Sequence, residues 1–572
     1  MILQKRIIQA VILIVVITIA ADAFPQAAFS VPDTVCIRDS MQVVNLSAPA
    51  QTYFWNFCSA SLDYVPVGQN IDAAGLVNGP AFISVTHTAD GYFVFITNHK
   101  DGTLTRQYFA ASLDDSAVTV NLGSVSGIDH LEGIQVINDN DNWYGFMVGG
   151  IGSQSSLIRL DFGNSPGNVP ATVNLGNLGE LSYPIDLFMY PEDNLWIGLT
   201  VNYTTWTITR FIFSNGLNEP PEAENLGNIG NLNQPCGIQL IFDNGNWYAF
   251  LTNFGNGTLT RLDFSNSLLN TPAGYNLGDL AELDSPFDLT IIRDCEEIYG
   301  FVANHYGNEI IKLEFASGIA GIPEAESLGN IGNLYHPHGM SNVFRENDKL
   351  YLLVGNVTNS ITKLYFQPCN NASPAYSTQR NPPKVTYNSP GVYNVSLVLD
   401  EGLPTQSTVC KDVIVFDNPV ISLGNDTTLL PGTSIELNPG SGFKAYDWST
   451  GESSSTLTIG EPGVYGVMIT DTNGCTAFSE INISIAFYIP KFFTPNDDGV
   501  NDRWEIEYFQ TNPEATIQIF DRFGKSISSY RGDDPGWDGT YQGKKMKADT
   551  YWYMITFDDG TKPKTGYVAI VR

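Results

Sequence analysis

The tripeptide Asn-Leu-Gly recurs at Asn121, Asn174, Asn225 and Asn276, and Ser327-Leu-Gly continues the series. The spacings are 53, 51, 51 and 51 residues. A period this regular commits a chain to a repeat architecture, in which one supersecondary unit is copied and packed on its neighbour. Within each period the order of segments is the same. One unit reads Asn225-Leu-Gly-Asn-Ile-Gly, then Gln234-Pro-Cys-Gly-Ile-Gln-Leu, then Trp247-Tyr-Ala-Phe-Leu-Thr, then Thr258-Leu-Thr-Arg-Leu-Asp-Phe. Turn residues separate the runs, and each run has strand length with β-branched or aromatic content. Four short strands per period is the pattern of a propeller blade. The pattern predicts an all-β chain with six blades over residues 61–366. The first blade lacks a clean Asn-Leu-Gly but carries Tyr92-Phe-Val-Phe and Leu104-Thr-Arg, and the sixth ends at Phe366 with three strands. Its fourth is expected from Val65 to Asp72, an N-terminal strand that closes the ring and protects an open edge.

The repeats resemble the NHL class of six-bladed propellers. Each carries one base at an equivalent place: Arg106, Arg159, Arg210, Arg261, Lys312 and Lys363. Such a ring could hold an anion, but an acid sits two residues on at Asp161, Asp263 and Glu314, on the same strand face. Ion pairing between blades is the reading these acids favour. The chain as a whole has 28 basic and 60 acidic residues, a net charge of −32. That field repels phosphate backbones and argues against nucleic acid as a partner.

Segments too short for a core flank the repeats. Residues 24–60 contain Gln51-Thr-Tyr-Phe-Trp-Asn-Phe, and residues 367–418 contain Tyr387-Asn-Ser-Pro-Gly-Val-Tyr and Cys410-Lys-Asp-Val-Ile-Val. Together they resemble the two halves of a PKD domain, an Ig-like sandwich into which the propeller is inserted. The resemblance departs at Cys58, where Gly-Asp-Gly usually follows Trp-x-Phe. Cys58 and Cys369 bracket the repeats, so a disulfide there would clip the neck, and Cys36 with Cys410 would then staple the two halves. On this reading Cys236 and Cys295 stay reduced, and Cys475 lacks a partner.

Residues 419–486 resemble an Ig-like module common in surface proteins of Bacteroidota, with Tyr446-Asp-Trp-Ser-Thr-Gly and Pro462-Gly-Val-Tyr. Residues 487–572 carry Phe492-Phe-Thr-Pro-Asn-Asp-Asp-Gly, Ile517-Gln-Ile-Phe-Asp-Arg-Phe-Gly, Gly536-Trp-Asp-Gly and Gly566-Tyr-Val-Ala-Ile. This ordered set resembles the gliding-motility-associated C-terminal domain, the type B sorting signal of type IX secretion, and implies that the secretion machinery is a partner. At the other end, Lys5 and Arg6 precede an apolar run from Ile7 to Ala20 and Ala21-Asp-Ala. Basic flank, short apolar core and small-residue site describe a cleaved signal peptide over 1–23. No other segment is long and apolar enough to span a bilayer. The two addresses place the protein outside the cell or on its surface.

No nucleophile elbow, zinc-helix motif or phosphate loop appears. The blade-start turns place Glu132, Asp186, Asp288 and His338 around the channel axis, among Ala81, Ile185, Cys236 and Phe287. In the tail, Asn496, Asp498 and Asp502 surround Gly499, a set that suits either a calcium loop or backbone turn capping; the set is short of a full loop, which favours capping. Three functions follow: a binding or adhesion module that takes a glycan or protein at the ring mouth, a metal-assisted hydrolase or lyase in the channel, and a structural surface component. The first is favoured, because no catalytic set is complete.

Overall fold

The computed structural model describes residues 26–572, apart from positions 59–61, 63, 72, 74, 281, 296, 368–369, 402–405, 508, 510–511, 559 and 561. The leader expected at 1–23 lies outside the described residues. Those described form strands and turns with no α-helix. The chain divides into two units, Met1–Val415 and Phe416–Arg572.

The repeat is built from asparagine. Asn121 Oδ1 accepts the N–H of Gly123, and Asn174, Asn225 and Asn276 do the same for Gly176, Gly227 and Gly278, all at 2.8–2.9 Å. These glycines have φ between 81° and 92°, the left-handed region that a Cβ disfavours. Each Asn-Leu-Gly is therefore a side-chain-capped turn that ends an outer strand. A second asparagine closes the second strand of five repeats (Asn98, Asn202, Asn253, Asn304 and Asn356), each fully buried. In Asn98, Asn202 and Asn253 the amide donates to two threonine hydroxyls of the next strand, while the carbonyl accepts a backbone N–H from the preceding loop. A buried amide must be satisfied in this way or cost stability.

Five antiparallel four-stranded sheets follow in order, starting at Pro80, Leu131, Pro184, Pro235 and Pro286. A sixth holds Pro337–Met340, Lys349–Asn356 and Ser360–Phe366, and its outermost strand is Val67–Ile71 from the start of the chain. The register pairs Tyr365 with Val67 and Ile361 with Ile71. The first strands touch in cyclic order, and Pro337–Met340 returns to Pro80–Thr88. The six sheets thus form a closed ring. Where the closing strand meets the previous loop, a Cβ on Gly68 would lie 2.5 Å from the Gly332 nitrogen, so only glycine fits.

The six bases do not form an open cationic ring. Arg159, Arg210, Arg261, Lys312 and Lys363 are all less than a tenth exposed. Three of the ion pairs lie within one strand, Arg159–Asp161 at 2.7 Å, Arg261–Asp263 at 2.6 Å and Lys312–Glu314 at 4.0 Å, and Arg210 pairs with Glu224 of the adjacent strand. Contrary to the sequence expectation, what links neighbouring sheets is mostly hydrogen bonding to backbone carbonyls. Arg106 donates to Pro166 and Asn168, Arg159 to Leu217, Arg210 to Leu268 and Asn270, and Arg261 to Ala320. Lys363 completes the circle on Leu113 O and, as an inter-sheet ion pair, on Asp114. A guanidinium has five donors and can serve an acid and a carbonyl at once.

Strands from before and after the ring share one sheet, in the order Thr34–Cys36, Ser407–Phe416, Gly391–Leu399, Tyr53–Asn56 and Tyr376–Ser377. They bury a common core around Trp55, Phe57, Tyr387, Val395, Leu397 and Val413. The expected Cys36–Cys410 staple does not form. Cys410 is bonded to Cys295, because the hairpin turn of the fifth ring sheet comes within 5.5 Å (Cα–Cα) of its strand. The link ties the ring to the sheet shared by the flanks rather than one flank to the other. Cys295 is therefore not a reduced thiol, and Cys475 is disulfide-bonded rather than unpaired, as are Cys36 and Cys58. Cys369, the proposed partner of Cys58, lies outside the described residues. Cys236 is the free, buried cysteine among those described.

In the second unit, a four-stranded sheet with the order Thr427–Leu429, Thr476–Ile485, Gly463–Thr470, Ala445–Trp448 packs around Trp448. The tail folds as a five-stranded sheet (Phe492–Phe493, Lys564–Ile570, Thr550–Thr556, Thr516–Phe520, Ser526–Arg531) over a core centred on Trp504 and Trp537.

Gly68→Val tests the ring closure. Overpacking against backbone costs about 1–3 kcal/mol, so the variant is expected to unfold several degrees lower and to be cut by protease between the closing strand and the first sheet. An unchanged melting temperature would mean that the closing strand contributes little.

Candidate functional site

The residue that follows each strand-ending asparagine points to one mouth of the ring: His99, Tyr203, Phe254 and His305 occupy this place in four repeats. The residue just before the first strand adds His130 and Tyr183, and the second residue of the sixth sheet adds His338. Their rings touch in a closed circuit. His99–His130 are 4.7 Å apart by centroids, His130–Tyr183 6.2 Å, Tyr183–Tyr203 5.6 Å and Tyr203–Phe254 6.4 Å. The circuit returns through Phe254–His305 at 5.7 Å, His305–His338 at 5.7 Å and His338–His99 at 6.1 Å. Tyr306, 54% exposed, extends the rim beside Phe254 and His305. Aromatic edges and faces at these separations attract one another beyond simple burial.

Beneath this collar lies a polar floor. Glu132 is fully buried, with Oε1 2.5 Å from His99 Nδ1 and accepting the Tyr183 hydroxyl at 2.9 Å. Its Oε2 has no hydrogen-bond partner, and neither has His338 Nδ1, which is sealed from solvent. A buried polar atom left unpaired is costly, and two of them lie at this mouth. The His338 ring lies 3.6 Å from Phe287. Glu132 and His338 come from the sheets on either side of Ala81, the smallest residue at that position of the repeat.

Burial and hydrogen bonding act against each other at this floor. Burial pulls the His99 pKa down, but the hydrogen bond and charge of Glu132 outweigh it and raise it above its ordinary 6.5. Burial, helped by His305 and His99, drops His338 well below that value. His305 is lowered to about 4, by burial first and then by His336, while its Nδ1 donates to Pro337 O at 3.1 Å. Burial also raises the Cys236 thiol. At neutral pH the floor therefore carries a hydrogen-bonded His99–Glu132 pair and two neutral imidazoles.

Asp186 and Asp288 do not join Glu132 and His338. They line the channel farther along, in a cavity of about 110 Å³ that also touches Gln135, Gln239 and Ser341. Asp186 Oδ1 accepts from Leu187 N at 2.7 Å and Oδ2 from Ile238 N of the next sheet at 2.8 Å. Asp288 does the same for Leu289 at 2.7 Å and Met340 at 2.6 Å. Both pKa values are raised by burial, that of Asp186 also by Glu132 and that of Asp288 also by Asp186. The pair pins backbone between sheets. Among the described residues, no group of three or more His, Cys, Asp or Glu is placed to hold a metal ion.

In the tail, Asp502 takes the N–H groups of Asn496, Asp497 and Gly499 at 2.7–3.0 Å. Asp498 accepts from Val500 N at 2.8 Å and from the Asn496 amide at 2.8 Å. These hydrogen bonds, Gly499 first, hold the Asp502 pKa below its usual value. These oxygens cap the backbone N–H groups of the turn.

Residues 487–570 match the CHU_C type IX secretion signal domain. The tail is a type IX secretion signal. The domain marks the chain for export to the cell surface or beyond, with the secretion machinery as its partner. No described helix is long and apolar enough to cross a membrane. Comparison with curated proteins gives no match. Among solved structures, a luciferin-regenerating enzyme is 12% identical, covering 52% of this chain and 95% of its own, with a TM-score of 0.37. The catalytic domain of a GH62 α-L-arabinofuranosidase from Coprinopsis cinerea is 14% identical over 50% of this chain and 98% of its own, with a TM-score of 0.32. A GH43_1 enzyme from Xanthomonas citri complexed with xylotriose is 11% identical over 54% and 93%, with a TM-score of 0.31. Likenesses this remote say nothing of this chain's ligand.

Sequence reasoning placed Glu132 and His338 at the mouth but missed His99, His130, Tyr183, Tyr203, Phe254 and His305. The signal was present. Aligned on the strand-ending asparagine, the next residue is aromatic or histidine in four of the five repeats that carry it.

Glu132→Gln tests the floor. The His99 pKa, raised by Glu132 against the pull of burial, should fall below its ordinary 6.5 in an NMR titration. The pair's stabilisation is complete below that value and fades as pH rises through the raised pKa, so the variant should flatten the pH dependence of melting above pH 6.5.

Proposed function

We propose that the chain is a secreted or cell-surface binding protein that captures a glycan at the collar mouth of a six-bladed, NHL-like propeller. The propeller is inserted in a PKD-like sandwich, with an Ig-like module at 419–486 as spacer before the signal tail. A cleaved leader at 1–23 supplies the first step of export. The closed ring of six sheets and the core shared by both flanking segments support this architecture.

The observation that carries the function is the pairing of a closed aromatic collar with two unsatisfied buried polar atoms beneath it. Sugar rings present apolar C–H faces that stack on aromatic rings, and hydroxyls that satisfy a carboxylate and an imidazole. Glu132 Oε2 is an acceptor awaiting a donor, and His338 Nδ1 takes either role as the tautomer allows. The hydrogen-bonded His99–Glu132 pair and the uncharged imidazoles of His305 and His338 suit a ligand recognised by hydrogen bonds. Asp186 and Asp288, whose oxygens are taken up by backbone N–H groups, add no second acid to it.

The test is binding of the purified protein to a panel of neutral oligosaccharides by glycan array, followed by calorimetry. Tyr203→Ala with Phe254→Ala removes two stacking faces of about 0.5–1.5 kcal/mol each. Affinity should fall about thirtyfold for a total near 2 kcal/mol, measured on the variant confirmed as folded. An empty array, or full affinity in the double variant, would refute the assignment.

A further inference from the structure

The signal tail must be recognised by something, and its sheet has two unlike faces. One packs the core through Phe493, Ile517, Ile519, Tyr551, Val568 and Ile570. The other carries an aromatic row in water. Trp552 stands opposite Tyr567 on one side and Phe520 on the other, so three rings cross three adjacent strands. Phe492 lies one step along, opposite Ala569, on the same face. Trp552 is 45% exposed, Tyr567 53% and Phe492 57%. A contiguous exposed aromatic row on a rigid sheet is costly in a soluble domain unless a partner covers it, and aromatic side chains dominate binding energy at protein interfaces.

Charge supports a protein partner. Residues 487–572 hold 11 Lys and Arg against 13 Asp and Glu, while the whole chain holds 28 against 60. The tail is thus nearly neutral in a chain of net charge −32. It can approach a receptor without the repulsion that the remainder would meet.

We propose that the receptor of the type IX machinery reads the tail through this outer face, with Trp552 and Tyr567 as anchors. The match of residues 487–570 to a type IX secretion signal domain names the occupant, and the row is the feature of that domain a flat docking surface can grip. The core-facing aromatics, Trp504 and Trp537 among them, hold the fold and are sealed from a receptor.

The experiment expresses the full chain in a bacterium with a type IX system and measures the fraction reaching the surface and medium by immunoblot. Trp552→Thr with Tyr567→Thr keeps strand-forming residues and removes the row. Export should fall at least tenfold, with protein retained in the periplasm and the purified variant melting as the parent does. Phe478→Thr removes an equally exposed ring, 57% exposed, from the neighbouring module and should export normally. Normal export of the folded double variant overturns the proposal. So does normal export with loss of a dimer in light scattering, which would assign the row to self-association. If the double variant does not fold, Tyr567→Lys leaves its side chain in water, and normal export of that variant overturns the proposal equally.

Discussion

The first unit depends on five residues, Val67–Ile71, reaching back to pair with Ser360–Phe366 almost three hundred positions later. Without that strand the sixth sheet ends on an open edge, a liability that proteins avoid. With it, the two ends of the ring are held side by side. That adjacency lets Tyr53–Asn56 lie next to Gly391–Leu399 in the sandwich sheet. The sheet shared by the two flanks draws its core from both, Trp55 from one and Leu397 from the other. Such long-range pairing is slow to form. The Cys295–Cys410 bond ties the fifth sheet to the shared sheet of the flanks.

Most of this was legible in the sequence, and the reason is periodicity. A turn that needs Asn to cap it and Gly to bend it writes the same letters at every copy, so the repeats and their strands could be counted. The shared sheet of the flanking segments was legible too, from pieces each too small for a core. The cysteine pairing was not. Which strand passes the turn at Cys295 depends on how ring and sandwich pack, and no local pattern records that. The inter-sheet role of the bases was half legible: Asp161 and Asp263 announced ion pairs, but the carbonyls of Leu217, Leu268 and Ala320 carry no sequence signature.

The channel shows a second, subtler period. At the third position of each first strand the residues run Phe82, Gly133, Asp186, Gly237, Asp288, Gly339. Large and minimal side chains alternate because the sheets converge there. A Cβ on Gly133 would sit 2.8 Å from the Asp186 Cα, and one on Gly237 2.7 Å from that of Asp288. Each aspartate then accepts a backbone N–H from the sheet beyond. Read along the chain, two acids facing a central axis suggest a catalytic or metal pair. In space they are fasteners, and the acid with an oxygen to spare is Glu132, one level away.

The distribution of charge links the two ends of the argument. Nearly all of the net −32 lies outside the tail, yet at the collar Glu132 is paired with His99 and the imidazoles of His305 and His338 are held uncharged by burial. At long range the field turns anions away, and at short range recognition rests on ring faces and hydrogen bonds, which salt screens little. The tail faces the opposite demand. It must meet a protein surface during export, and it is there that acids and bases nearly cancel and aromatic rings are left in water. Acidity thus belongs to the part of the chain that works outside the cell, and is withheld from the part that has to be taken hold of on the way out.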